Sequence, residues 1–167
     1  KSNGNWIAFL DSDDSWTKDK LLRVKDEILS NPDANFILHW EKLIGQELLH
    51  ILRHGQEFKK DKNLCKQLFK NNFISTSAST CKKSLLINNQ FDEKLKVSQD
   101  YELWLRLSPY MNISIIRKVL GNYYVREGSI TSKPYIIRLF YLLKILFRHR
   151  DKSNVIYLIV RLVRAFI

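Results

Sequence analysis

Residues 6–16 read WIAFLDSDDSW. Trp6 to Leu10 are apolar and rich in strand formers, and Asp11, Ser12, Asp13 and Asp14 follow at once. A short apolar run of this kind reads as a buried strand. A strand that ends in clustered carboxylates holds hard oxygen ligands rigidly at the edge of a sheet. That arrangement suits Mg²⁺ or Mn²⁺ carrying a phosphorylated substrate. A calcium-binding EF-hand loop is excluded. Counted from Asp11, the sixth position is Trp16 where Gly is needed, and the twelfth is Leu22 where Glu is needed. The plainer alternative makes Asp14 or Ser15 the N-cap of a helix beginning near Thr17. Three acids in four residues exceed what a cap needs, and a cation would relieve their mutual repulsion. Both readings of Asp14 stand at this level.

The 167 residues are enough for one domain with its own core. A hydrophobic content of 45% against 27% charged residues excludes a disordered chain. Cys65 and Cys81 are too few and too isolated for a disulfide framework or a zinc site, so a reduced, cytoplasmic setting is expected. The chain opens at Lys1, in polar sequence just ahead of a core strand, and a missing N-terminal portion is expected. The net charge of +11 is uneven. Residues 134–167 hold Arg138, Lys144, Arg148, Arg150, Lys152, Arg161 and Arg164 against Asp151 alone. A basic, apolar tail points first to an anionic membrane surface, here the inner face of the cell membrane, and second to nucleic acid. No recognition motif accompanies the charge, so nucleic acid is not expected as a partner. The runs YIIRLFYLLKILFR and VIYLIVRLVRAFI are too short or too charged to span a bilayer and suit helices lying at its interface. Ordinary packing on the rest of the protein is the alternative.

Hydrophobic periodicity predicts a helix from Thr17 to about Ser30, with Leu21, Leu22, Val24, Ile28 and Leu29 as its apolar face. Asn35 to Trp40 reads as a strand, and residues 41–60 are ambiguous. Asn63 to Lys70 reads as a short helix. Phe73 to Cys81 reads as extended, and Lys82 to Ile87 as a pair of helical turns. Asp100 to Leu107 is a stronger helix, followed by strands at Ile113–Ile116 and Val119–Val125. Pro134 starts a helix to about Arg148, and a second runs from Asp151–Ser153 to the end. Alternating strands and helices make the class α/β. Two regions are expected: 1–133, and a basic helical extension, 134–167.

Two segments carry a resemblance, GNWIAFLDSDDSWTKDKL and FISTSASTCKKSLLINNQFDEKLKVSQDYELWLRL. The first resembles the DxD segment, and the second the acceptor half, of family 2 glycosyltransferases with the GT-A fold, over about residues 2–132. The resemblance implies a partial GT-A domain with a Rossmann-like mixed sheet. It implies that Asp13 coordinates Mg²⁺ or Mn²⁺ and that Asp11 contacts the ribose or sugar of a nucleotide-sugar donor. The family's Phe-Asp-Glu turn is matched by Phe91, Asp92 and Glu93, and its helix by Asp100, Tyr101, Leu103, Trp104 and Arg106. The family's Glu-Asp pair reads Gln99-Asp100 here, and the role of general base carries over to Asp100. Losing the neighbouring charge lowers the pKa of Asp100 slightly and leaves it able to act as a base. The alternative is that Asp100 caps the helix Tyr101–Leu107. Arg126 and Ser129, in a segment resembling the family's closing loop, would meet the diphosphate.

Ser75, Thr76 and Ser77 line the sugar or acceptor pocket or simply a polar strand face. Trp104 and Leu107 are expected in the core, and Arg106 in a buried ion pair. The four histidines have no metal-ligand spacing and read as structural or surface residues. The family's opening strand, resembling V-S-V-I-I-P-T-Y-N, has no match here. The nucleotide-base pocket is therefore expected to be missing, and this chain alone to be inactive. The implied reaction is inverting sugar transfer to a glycan or lipid-linked acceptor during cell-surface polysaccharide synthesis. A non-catalytic membrane-docking module that keeps the fold is the alternative.

Overall fold

Phe36, Ile37 and Leu38 are completely buried and open β3 (Phe36–Ile44), the strand about which the sheet is built. An unbroken apolar run marks a strand covered on both faces. The computed structural model describes residues 2–45, 50–125 and 135–150. Two compact units share them: residues 1–57, 74–88 and 110–126 in the first, and 58–73, 89–109 and 127–167 in the second.

The first unit holds the whole sheet. β1 (Trp6–Ala8) pairs antiparallel with β5 (Ser79–Lys82), and β5 pairs antiparallel with β3. β3 runs parallel to β6 (Ile113–Tyr124), which pairs antiparallel with β2 (Ser15–Trp16). The order is therefore β1-β5-β3-β6-β2. The ambiguous stretch after Trp40 continues β3 to Ile44 and returns as β4 (His50–Leu52) on the same strand. The sheet is mixed, as expected. The two strands predicted at 113–116 and 119–125 are one. His39 is opposite Ile116 while Trp40 is opposite Val119, so exposed Arg117 and Lys118 form a bulge inside a continuous β6.

α1 (Lys20–Ser30) covers one face of the sheet. It begins three residues later than Thr17. Ser15 and Trp16 pair with Asn122 and Gly121, and the Thr17 amide donates to the Leu120 carbonyl at 3.0 Å, which keeps this stretch extended. Asp19 takes the N-cap position, so neither Asp14 nor Ser15 is the cap. The buried stripe is also narrower than the sequence suggests. Val24 and Ile28 pack with Ile37, Ile116 and Leu120, whereas Leu21, Leu22 and Leu29 are exposed. Lys20 occupies the end of this i, i+4 stripe and is fully buried.

The second unit contains α2 (Leu64–Lys70), α3 (Gln99–Leu107) and α4 (Tyr135–Arg148). Asn63 caps α2 by accepting the Lys66 amide at 3.0 Å. α3 is buried almost all round: Tyr101 to Leu105 and Leu107 are inside, including Trp104 and Leu107 as expected. The Tyr101 hydroxyl donates to the Leu68 carbonyl of α2 at 3.4 Å. The helix expected after Asp151 lies outside the described residues.

Candidate active site

β1 and β2 lie at opposite ends of the strand order, yet only residues 9–14 join them. Four flat strand spacings would be roughly 19 Å, and the step from Ala8 to Ser15 can reach about 24 Å at most. The acidic loop thus crosses the end of the sheet, and its course is pinned along the way. The Phe9 amide donates to the Ser79 carbonyl at 3.1 Å. The Asp14 amide donates to the Asp11 carbonyl at 3.1 Å, closing a turn.

Ser77, completely buried, is the central pin. Its hydroxyl accepts the Asp11 amide at 3.1 Å and donates to Asp14 Oδ2 at 2.6 Å. Its carbonyl accepts Trp16 Nε1 at 2.9 Å. The other oxygen of Asp14 accepts the Tyr124 amide of β6 at 3.1 Å. Asp14 is thus an anchor between two strands. None of these bonds uses the carboxylate of Asp13, which is half-buried in the same loop. Burial raises the pKa of Asp14, repulsion from Glu41 and Asp13 adds to this, and the two hydrogen bonds work against it. The Tyr123 phenol is likewise raised, first by burial and then by the carboxylates of Asp14, Asp13, Asp11 and Glu41.

A second set of buried polar groups belongs to this unit. Lys20 Nζ donates to Thr80 Oγ1 at 3.3 Å and sits 3.5 Å from the centre of the Trp16 ring. Burial pushes its pKa down to about 8, against the pull of Glu41. Glu41, completely buried, is 2.8 Å from His54 Nε2 through Oε2. His39 Nδ1 lies 2.9 Å from the Trp40 carbonyl. A carbonyl only accepts, so Nδ1 carries the ring proton. Burial holds the His39 pKa down at about 4, keeping the ring neutral. Gly121 leaves room for both: a Cβ there would come within 3.1 Å of His39 Cε1 and 3.3 Å of Glu41 Oε1.

Hard carboxylate oxygens under like-charge strain are the donor set a divalent cation prefers. Among the described residues no three His, Cys, Asp or Glu side chains gather into a cage. A cation at Asp13 would thus fill its shell largely with phosphate oxygens and water, which is how Mg²⁺ is usually held.

In the second unit, Ser98 stands at the N-cap position of α3, with the left-handed φ of 57°. Asp100 is therefore within the first turn and is not the cap. Two residues on, Glu102 is 1% exposed and ringed by two arginines and a histidine. Arg106 Nη2 is 3.0 Å from Oε2, and Arg148 Nη1 and His149 Nε2 are each 3.3 Å from Oε1. Burial alone would raise this carboxyl, but hydrogen bonds from His149, Arg106 and Arg148 outweigh it and hold the pKa at about 2. Arg106 also donates to the Gln90 carbonyl at 2.7 Å, so the ion pair expected for it is present and fastened to the turn before Phe91. Arg126 and Ser129 lie outside the described residues.

The profile of the family described as "Glycosyltransferase like family 2" matches residues 1–135. The chain belongs to this glycosyltransferase family. It is 28% identical over 143 residues to the amylovoran biosynthesis glycosyltransferase AmsB of Erwinia amylovora, covering 77% of this chain and 45% of that one. It is 28% identical over 136 residues to WfgD of Escherichia coli, named as a UDP-Glc:alpha-D-GlcNAc-diphosphoundecaprenol beta-1,3-glucosyltransferase, covering 80% and 51%. It is 29% identical over 105 residues to the glycosyltransferase MJ1057 of Methanocaldococcus jannaschii, covering 63% and 36%. The chain thus spans between a third and about half of the length of these relatives. Crystallised TarS of S. aureus shares the fold: residues 1–349 of that protein superpose with a TM-score of 0.58 at 20% identity, covering 87% of this chain and 42% of that one. The partial GT-A architecture read from the sequence is the one observed.

The sequence makes the acidic cluster Asp11, Asp13 and Asp14 and the helix that carries Asp100 visible in this family member. It leaves Ser77 as one of several pocket or surface hydroxyls, and it does not reveal Lys20, the Glu41–His54 pair or the Glu102 cluster. Nothing in the local sequence marks Ser77, whose partners are more than sixty residues away.

Proposed function

We propose that the protein carrying this chain transfers a sugar from a nucleotide-sugar donor to a glycan or lipid-linked acceptor, with inversion, in cell-surface polysaccharide synthesis. The observation that carries this reading is the pinned acidic loop. Ser77 and Tyr124 each bind one oxygen of Asp14 and tie it to two strands, and the Asp13 carboxylate stays outside that bonding. Asp13 would hold Mg²⁺ or Mn²⁺, which when bound neutralises the departing diphosphate. Asp11 would contact the ribose or the sugar. Asp100 would take the proton of the acceptor hydroxyl as its oxygen attacks the anomeric carbon from the side opposite the diphosphate. Arg126 and Ser129 would contact the diphosphate. The names of AmsB and WfgD support the substrate class.

α4 supports a peripheral membrane contact at the inner face of the cell membrane. Its Ile136, Phe140, Leu143 and Phe147 are exposed at helical spacing, and residues 135–150 carry no acidic side chain. Among the described residues no helix is long and apolar enough to cross a membrane.

The test is sugar transfer by the protein with and without divalent cation. Asp13→Ala should abolish the metal-dependent activity, and Asp100→Asn should lower kcat by roughly 10²–10⁴-fold. Full activity in both variants would remove these assignments and leave the docking-module reading. Co-sedimentation with anionic vesicles tests α4, and absence of binding refutes the membrane contact.

A further inference from the structure

Asp100 and Glu102 share the first turn of α3, but side chains two apart on a helix leave it in different directions. Glu102 is turned inward and meets nitrogen donors from two elements. Arg106 reaches it from the next turn of α3, at 3.0 Å. Arg148 and His149 reach it from the end of α4, each at 3.3 Å. Arg148 Nη1 also lies 2.8 Å from Asp92 Oδ2, and Asp92 in turn accepts the Lys94 amide at 2.9 Å. One guanidinium therefore joins the turn that follows Phe91 to the first turn of α3. Apolar side chains in such a place would stabilise the fold at least as well as buried charges. What an arginine fork adds is direction, since its N–H groups fix where a carboxylate can sit.

We propose that Arg148 and His149 are positioning residues for sugar transfer. Through Glu102 they fix the backbone turn that carries Asp100. α4 is then part of the acceptor-side machinery, whatever its outer face docks against. This inference rests on the role of Asp100 proposed above. A base displaced by about 1 Å loses on the order of 10²-fold in rate while distant binding contacts are untouched.

The experiment compares Arg148→Met, Arg148→Lys, His149→Phe and Ile145→Ala in the whole protein. kcat for transfer, KM for the nucleotide-sugar, affinity for the nucleoside diphosphate, and melting temperature are measured for each. Ile145 is fully buried in α4, and its truncation removes apolar packing while leaving every charged side chain of the cluster in place, so it reports on loosening of the helix. Arg148→Met is expected to lower kcat by about 10–100-fold with donor KM and diphosphate affinity within twofold of the parent. Arg148→Lys should recover several-fold of that loss, because the charge returns on a freely rotating ammonium in place of the rigid guanidinium N–H that bridges Asp92 and Glu102. His149→Phe should lower kcat in the same direction. An Arg148→Met enzyme with parental kcat, or one losing diphosphate affinity in step with kcat, would overturn the inference. So would an equal loss in Ile145→Ala at matched melting temperature. If Asp100→Asn keeps full activity, the role of Asp100 itself fails. If that variant is dead and Arg148→Met is normal, only the positioning role fails.

Discussion

Replacing Ser77 by Ala removes one oxygen atom and two hydrogen bonds from the acidic loop. The Asp11 amide loses its acceptor at 3.1 Å, and Asp14 loses its donor at 2.6 Å. A neutral hydrogen bond contributes about 1 kcal/mol and one to a charged group about 1.5–3 kcal/mol. The buried site gives water little access to replace them, so the variant should lose about 3 kcal/mol. For a protein of this size that corresponds to roughly 6–12 °C in melting temperature. A second effect follows from charge. Burial and repulsion from Glu41 and Asp13 already raise the pKa of Asp14, and the bond from Ser77 is the larger of the two that oppose this. Without it the Asp14 pKa moves further up. Mn²⁺ affinity should then fall off at a higher pH than in the parent, as proton and cation compete for a less ordered loop. Differential scanning fluorimetry and Mn²⁺ titration between pH 5 and 8 read the two effects. Ser75→Ala is the control, since Ser79 uses only the Ser75 carbonyl and that variant keeps it. If Ser77→Ala melts with the parent and binds Mn²⁺ with an unchanged pH dependence, the pinning argument is wrong.

Other consequences follow from the buried charges and one glycine. Glu102 titrates near 2 when folded and higher when unfolded, so its contribution is complete above about pH 4.5 and is lost as pH falls toward 2. The stability gap between parent and Glu102→Gln, about 3 kcal/mol at neutral pH by analogy with other broken buried pairs, should narrow over that window in urea titrations. Lys20 behaves oppositely. Its folded pKa of about 8 lies below the unfolded value, so the unfolded chain binds more protons between about 8 and 10.5. Stability of the parent relative to Lys20→Met should therefore rise from pH 8 to pH 10. Gly45 has a φ of +105°, and a Cβ there would meet the Val125 carbonyl oxygen at 2.7 Å. Gly45→Ala should cost about 2–4 kcal/mol in denaturant unfolding, through strain and a backbone clash.

The sequence made the acidic strand end, β3 and the α3 helix readable because each rests on local pattern. Phe36 to Leu38 are an apolar run, and Tyr101, Leu103, Trp104 and Leu107 form a buried helical set; the run expected as a buried strand from Trp6 to Leu10 is a strand only over Trp6–Ala8, half-buried, with Leu10 exposed. What stayed hidden is what depends on distant partners. Thr17 was expected to be helical and is not, because Leu120 captures its amide. Arg117 and Lys118 looked like a break between strands, but the partner β3 holds both halves in one ladder. Lys20 reads as an ordinary solvated residue at a helix start, and only its place on the Val24–Ile28 stripe buries it. Arg148 and His149 lie more than forty residues from Glu102, so their cluster has no local signature.

β1 borders only β5, and among the described residues its other side meets no strand. Backbone amide and carbonyl groups on that side stand ready to pair with any extended segment that reaches them. A preparation of these 167 residues by themselves should accordingly be self-associating through Trp6–Ala8, and a solubilising charge placed at half-buried Ile7 should suppress it.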